Sequence, residues 1–276
     1  VTAELWRLWE LFPHSLAAGL LIAVVCSLLG VLVILKRVVF IGITLSEVAA
    51  LGIALAMALH LPPLLGAAGL TLSVVVLLAL PLEPARVPAD ALMGVVFVAS
   101  SALAVLVVAG SGFGLHEVKT LLYGDLILTS PSDLALMAAV LLPVLAALLL
   151  FLRPILYTFL DREAAQVLGI RVLAWELVFF CCLGLAVSAS SQAAGALLVF
   201  CYLVAPPSAG LLLSRRLGVV MLLSALTAAL GTLGGLTLSL AADLPANQTV
   251  VAVVAALFAC AALGRGAAQM LARRRP

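Results

Sequence analysis

The chain has 276 residues; 66% are hydrophobic and only 9% charged, against about 25% in an ordinary soluble domain. Mean hydropathy is +1.37 and the formal net charge is +2. These values exclude a soluble globular domain and identify an all-α polytopic membrane protein. At about 20 apolar residues per crossing there is room for roughly eight to ten spans and none for a separate ATPase domain. No phosphate-binding loop motif is present, so any ATP used must be bound by a partner chain.

Residues 1–13 place Glu4, Trp6, Arg7, Trp9 and Glu10 at helical spacing, which predicts an interfacial helix with aromatic anchors. The transmembrane part is expected over 14–264, as about nine helices. Span one runs from about His14 to Leu35 and stops at Lys36-Arg37. It is longer than a signal peptide and lacks a clear cleavage site, so it is expected to be retained. Span two runs from about Val39 to His60, and Pro62-Pro63 mark a tight turn. Span three ends near Leu82, and span four runs from Asp90 to about Gly110. In the outer segment that follows, residues 117–126 are semi-apolar and fit a short interfacial or re-entrant helix. Span five is expected from Asp133 to Leu152.

Residues Arg153 to Arg171 form the longest water-compatible island in the chain. Asp161 reads as an N-cap, Glu163-Ala164-Ala165-Gln166 as a short helix and Gly169 as its stop, so a capped helix is expected at about 160–170. Such a helix on a basic face is a docking element for a soluble partner or an ordinary loop helix at the headgroups. Span six is expected from Val172 to Ala189, with residues 188–195 as a small polar turn. Span seven then returns to Leu213, and Pro206-Pro207 predict a kink or break in it. Span eight runs to about Ala241 and carries Gly231, Gly234 and Gly235, a small-residue face for close packing. Span nine ends near Gly264, leaving a basic tail over 265–276.

With nine spans drawn, twelve of the fourteen basic residues fall on one side: Lys36, Arg37, Arg86, Arg153, Arg162, Arg171, Arg215, Arg216, Arg265, Arg273, Arg274 and Arg275. Only Arg7 and Lys119 fall on the other. The positive-inside rule makes the first side cytoplasmic, with the N-terminus outside and the C-terminus inside. The basic tail is a topology signal rather than a nucleic-acid site. Cys26, Cys181, Cys182, Cys201 and Cys260 all sit in apolar runs without a C-x-x-C pair and read as packing residues.

Several stretches together resemble the membrane permeases of the zinc, manganese and iron ABC importers. Leu35–Leu55, LKRVVFIGITLSEVAALGIAL, resembles their second-span signature, in which a basic pair leads into Gly-Asp-x-Leu-Ser-His-x-x-x-x-Gly. Tyr123–Asp133 resembles their outer Phe-Gly-Asp-Leu-Leu segment, and Leu160–Ile170 the loop that docks on the ATPase. Gly195–Leu217 resembles the Gly-x-Leu-Leu…Pro-Ala-x-x-Ala segment, and Leu244-Pro245 the last outer turn. The resemblance covers roughly Leu16 to Leu263. It implies a type II ABC importer permease fold and two permease subunits, usually a homodimer, around a central pathway. It also implies a cytoplasmic ABC ATPase dimer below and an extracytoplasmic metal-binding protein in a bacterial inner membrane. On that reading the 160–170 helix is the coupling helix. Asp161, Arg162, Glu163, Ala164, Ala165 and Gly169 then form the ATPase contact, and the charges suit a polar groove.

The family's second-span Asp and His correspond to Ile43 and Glu47 here. An ionisable group inside a span is costly and a functional candidate. Glu47 with Ser46 offers oxygen donors suited to a hard cation such as Mn²⁺, and two subunits would set two such carboxylates across a dimer axis. Otherwise Glu47 pairs with Lys36, Arg37 or a partner helix, or stays neutral. A metal chelate or other solute, or a heterodimer whose other subunit carries the ligands, are the alternatives. Glu176 is expected to pair with Arg171 or to snorkel. His60 lies at the outer end of span two, at an access funnel or simply at the interface. His116 and Glu117 with Asp125 would gather cations or meet the delivery protein, or else form a solvated loop. His14 lies at the same interface, and Asn247-Gln248-Thr249 matches a glycosylation sequon. An ATP-independent secondary transporter predicts broken helices in both halves, whereas only span seven carries a proline pair. No nucleophile–base pair suggests an intramembrane enzyme.

Overall fold

The structure is a computed structural model that describes residues 12–79, 88–110, 124 and 126–273. The expected interfacial helix over 1–13 and the expected helix over 117–126 lie almost wholly outside the described residues. In chain order the helices are α1 (Pro13–Leu35), α2 (Phe40–Ala58), α3 (Pro63–Ala79) and α4 (Ala89–Gly110). A single 3-10 turn at Leu126–Leu128 precedes α5 (Pro131–Leu150), α6 (Leu152–Leu160) and the short α7 (Arg162–Val167). Then come α8 (Val172–Leu213), α9 (Leu217–Ala242) and α10 (Ala246–Arg273).

The helix ends follow from local chemistry. Pro13 opens α1, where its missing N–H costs nothing. Ser130 and Asp133 form a reciprocal capping box at the start of α5, with Asp133 N–H donating to Ser130 Oγ at 3.2 Å. Within the spans, hydroxyls turn back on their own helices. Ser46 donates to the Gly42 carbonyl at 2.9 Å, Thr71 to Ala67 at 2.8 Å and Ser188 to Leu185 at 3.0 Å. A polar residue in an apolar span is satisfied in this way without breaking it.

α8 holds two departures from the sequence reading. The expected turn at 188–195 is helical through residue 194, and the reversal falls on one residue, Gly195, at φ 70° and ψ 165°. Contacts along α1 show the chain doubling back. Glu176 meets Lys36 at one end of α1, Ser190 meets Cys26 near its middle, and Leu203 packs on Gly30, on the way back toward the Lys36 end. Glycine tolerates the positive φ that this reversal needs. The expected break at Pro206-Pro207 is absent, and both prolines lie buried within regular helix. Pro207 has no N–H for the Leu203 carbonyl one turn earlier. Gly30 of α1 packs directly against that carbonyl, and a methyl group there would overlap its oxygen. Close helix contact thus covers what the proline exposes.

Among the described residues, seven helices are long and apolar enough to cross a membrane. The 42-residue α8 crosses twice and the shorter α3 adds one more, which gives the nine expected crossings. Burial sorts them. The apolar windows of α1 and α2 are 72% and 78% buried, whereas those of α4 and α5 are 22% buried and that of α10 is 11%. α1, α2 and α8 therefore form the centre, and α4, α5 and α10 the rim. Gly231 and Gly235 of α9 pack on Val254 and Val250 of α10, as the small-residue face predicted. Helix α10 runs on through Arg273 rather than stopping near Gly264, because 265–273 contains no proline and several strong helix formers.

Helix alternation brings the described basic side chains Lys36, Arg37, Arg153, Arg171, Arg215, Arg216 and Arg265 to one end of the bundle, the basic end. His14, His60, Asp133 and Asp243 lie at the opposite end. The described cysteines are all free thiols.

Candidate functional site

Glu47 lies in the second turn of α2, about 10 Å of helix rise from Phe40. It is 8% exposed. Its carboxyl hydrogen-bonds Ser101 of α4, and its Oε2 is enclosed without a hydrogen-bond partner. A buried, unpartnered oxygen costs about 1–3 kcal/mol, more if charged, so α2 holds an acceptor oxygen that the described residues leave unused. Ile43 lies one turn away on the same helix face, where i and i+4 side chains are neighbours. Ser46 is fully buried, and its proton goes to the Gly42 carbonyl, which leaves the oxygen's lone pairs as acceptors.

The other expected partners of Glu47 are occupied or elsewhere. Lys36 pairs with Glu176, Nζ to Oε1 2.5 Å. This corrects two expectations at once: Glu176 is held by Lys36 rather than Arg171, and Lys36 does not reach Glu47. The carboxyl of Glu47 faces α4 of its own chain. Among the described residues, no group of three His, Cys, Asp or Glu side chains is placed to hold a metal ion.

His60 is exposed at the far end of α2, in a left-handed conformation with φ 55°. Thirteen residues, or about 20 Å of helix, separate it from Glu47. His116 and Asp125 lie outside the described residues. Asn247 is 5% exposed; its amide donates to the Ala194 carbonyl at 3.0 Å and accepts from Leu126 N–H at 3.4 Å. The sequon is therefore part of the packed structure and not a sugar acceptor.

At the basic end, Asp161 caps α7 by accepting from Ala164 N–H at 2.9 Å. Arg162 opens the helix, and Gly169, at φ 76°, lies just beyond its end, as the sequence predicted. Glu163 and Ala164 are exposed, and Ala165 turns inward at 1% exposure. Three apolar groups also face outward here: Leu160 at 75%, Val167 at 88% and Leu168 at 70%. The Asp161 carboxylate accepts the capping bond, and Glu163 stays exposed beside the apolar tip. The signal for the apolar tip was available in Leu160, Val167 and Leu168 flanking a polar run. Ser101 carried no sequence signal, since its role depends on how α4 packs against α2.

The model of the ABC 3 transport family matches residues 9–265. The manganese transport system membrane protein MntC of Halalkalibacterium halodurans is 27% identical over 92% of this chain and 87% of its own. The high-affinity zinc uptake system membrane protein ZnuB of Haemophilus influenzae is 27% identical over 90% of this chain and 95% of its own. Among solved structures, a chain of PsaBC from Streptococcus pneumoniae superposes with a TM-score of 0.85 at 20% identity, covering 95% of both chains. The helical fold is thus shared with a solved chain of PsaBC, and the protein belongs to the ABC 3 transport family.

Proposed function

We propose that this chain is the membrane permease of an ATP-driven importer for a divalent metal ion: manganese, zinc or iron. The names of its relatives support that cargo class. The observation that carries it in the structure is Glu47: an acid enclosed in the most buried span, with one oxygen that no described residue engages. Carboxylate and hydroxyl oxygens suit hard divalent cations. One carboxylate with Ser46 and water would hold such an ion weakly, as a site for passage requires. The basic end is cytoplasmic by the positive-inside rule, which sets the start of α1 outside and the C-terminus inside a bacterial inner membrane.

Two such permeases form the pathway, and an extracytoplasmic protein hands the ion to the opposite end. Separate ABC ATPase subunits dock on α7, where Leu160, Val167 and Leu168 fill an apolar socket and Glu163 lies at the rim. Nucleotide-driven closure of the ATPases moves α7 and shifts the helices as rigid bodies. The lack of a three-ligand group among the described residues favours one second reading, a metal chelate on the same scaffold.

Elemental mass spectrometry of cells expressing the chain with its ATPase and delivery protein tests both readings. One divalent metal is expected to accumulate, and Glu47→Ala and Leu168→Asp each to reduce it at least about tenfold. Uptake that survives Glu47→Ala moves the ion or its chelate to another path. No accumulation of any metal sinks the cargo assignment.

A further inference from the structure

Helix α7 has little grip on the rest of the molecule. Of its side chains from Glu163 to Val167, only Ala165 is buried. Movement at α7 must therefore pass through the segments that flank it. Those segments are packed together: Phe151 and Phe159 at the two ends of α6 meet Trp175 (tilted) and Phe179 (edge to face) of α8, with centroids 5.1 and 5.0 Å apart. Helix α6, α7 and the first turns of α8 thus form one body.

Where that body packs on α1, one ammonium group supplies the charged contact. Lys36 Nζ lies 2.5 Å from Glu176 Oε1 on α8, 4.5 Å from the ring centre of Phe159 on α6 and 5.2 Å from that of Phe180 on α8. Lys36 and Glu176 are 17% and 15% exposed, so the pair is largely shielded from water and salt. Lys36 is also the C-cap of α1, four residues before α2 begins, and α2 carries Glu47. For stability alone, an apolar pair of similar volume would serve as well as a buried ion pair. A charge-assisted bond adds a fixed direction, and the two ring faces hold the cation from the sides.

We propose that the Lys36–Glu176 pair, in its phenylalanine cage, is the joint that carries movement of α7 to α1 and α2, so that Lys36 and Glu176 are positioning residues for transport. This rests on α7 being the ATPase dock. The joint ties the docking body to the span that holds the enclosed carboxylate. Breaking it lets the ATPases turn over without moving that span.

The test uses the full importer, this chain with its ATPase and delivery protein, in vesicles of phosphatidylethanolamine and phosphatidylglycerol. Two ratios are read on assembled complexes: ATPase rate with and without delivery protein, and Mn²⁺ or Zn²⁺ accumulated per ATP. The first needs no assumption about cargo. The variants are Glu176→Gln, the apolar pair Lys36→Met with Glu176→Leu, and the exchanged pair Lys36→Glu with Glu176→Lys. The first two are expected to keep basal ATPase activity and lower both ratios about tenfold, the size of an ordinary coupling energy. The exchanged pair is expected to recover most of that loss. Unchanged ratios in the apolar pair overturn the proposal. So does a loss confined to the amount of assembled complex, or a failure of every variant to assemble, since the pair then serves folding alone. Leu168→Asp runs alongside: if it leaves the ATPase bound, the docking reading fails, whatever the joint variants do.

Discussion

The two ends of the bundle are closed by different chemistry. At the basic end one ion pair, shielded by two phenyl rings, ties α1 to α6 and α8. Among the described residues at the opposite end the ties are neutral. Asn247 bridges the Ala194 carbonyl and Leu126 N–H, Ser15 donates to the Ile127 carbonyl at 2.9 Å, and Ser239 to the Leu244 carbonyl at 2.5 Å. A neutral hydrogen bond contributes a net ~1 kcal/mol, because water replaces it readily once the site is wetted. A shielded ion pair has no such substitute. The basic end is therefore built to move as a body, and the opposite end to open piecemeal.

The largest expected effect comes from breaking the charged tie. Glu176→Ala leaves the Lys36 ammonium among aromatic rings without its counter-charge, a loss of roughly 3–5 kcal/mol. In detergent its thermal unfolding midpoint should fall more than that of any single change at the opposite end. A smaller fall than that given by Asn247→Ala would reverse the comparison.

Asn247→Ala comes next. It removes a buried amide and takes from Leu126 N–H and the Ala194 carbonyl the bonds that amide made, at a cost of about 1–3 kcal/mol. The loss should be local. Hydrogen exchange is expected to quicken at Leu126 and around Gly195, with amides near Lys36 unchanged. Exchange that quickens equally at both ends would mean that the ends are not independent.

The contrast between the ends also marks how far the sequence could be read. Apolar runs and basic stops gave the nine crossings, because a membrane demands long oily helices and charges sort to their ends. Asp161 and Gly169 were legible because capping is local. The reversal at Gly195 was not. Ser188 and Ser190 resemble a polar turn, yet a span satisfies serine on its own carbonyls or, as with Ser190 and Cys26, on a neighbour. Pro206-Pro207 resemble a break, and only the packing of Gly30 against Leu203 explains why none occurs. Glu47 stood out as an acid in a span. Its enclosure by α4 did not, and neither did the Lys36–Glu176 pair, whose partners lie 140 residues apart.

The smallest expected effect separates the dock from the joint. Asp161→Ala removes the cap of α7 but touches no part of the caged pair. A lost N-cap costs about 1 kcal/mol of helix stability, and α7 is too short and too exposed to spread that loss. Amides 164–167 should exchange several-fold faster, while the unfolding midpoint of the whole chain barely changes. If α7 is the dock, ATPase affinity falls by the same modest factor, because the partner must then also order the helix. Transport per ATP in the complexes that do assemble should stay as in the unaltered protein, since Lys36 and Glu176 still connect α6 and α8 to α1. A drop in that ratio with affinity intact would place the transmitting element in the cap itself and move the joint from Lys36 to α7.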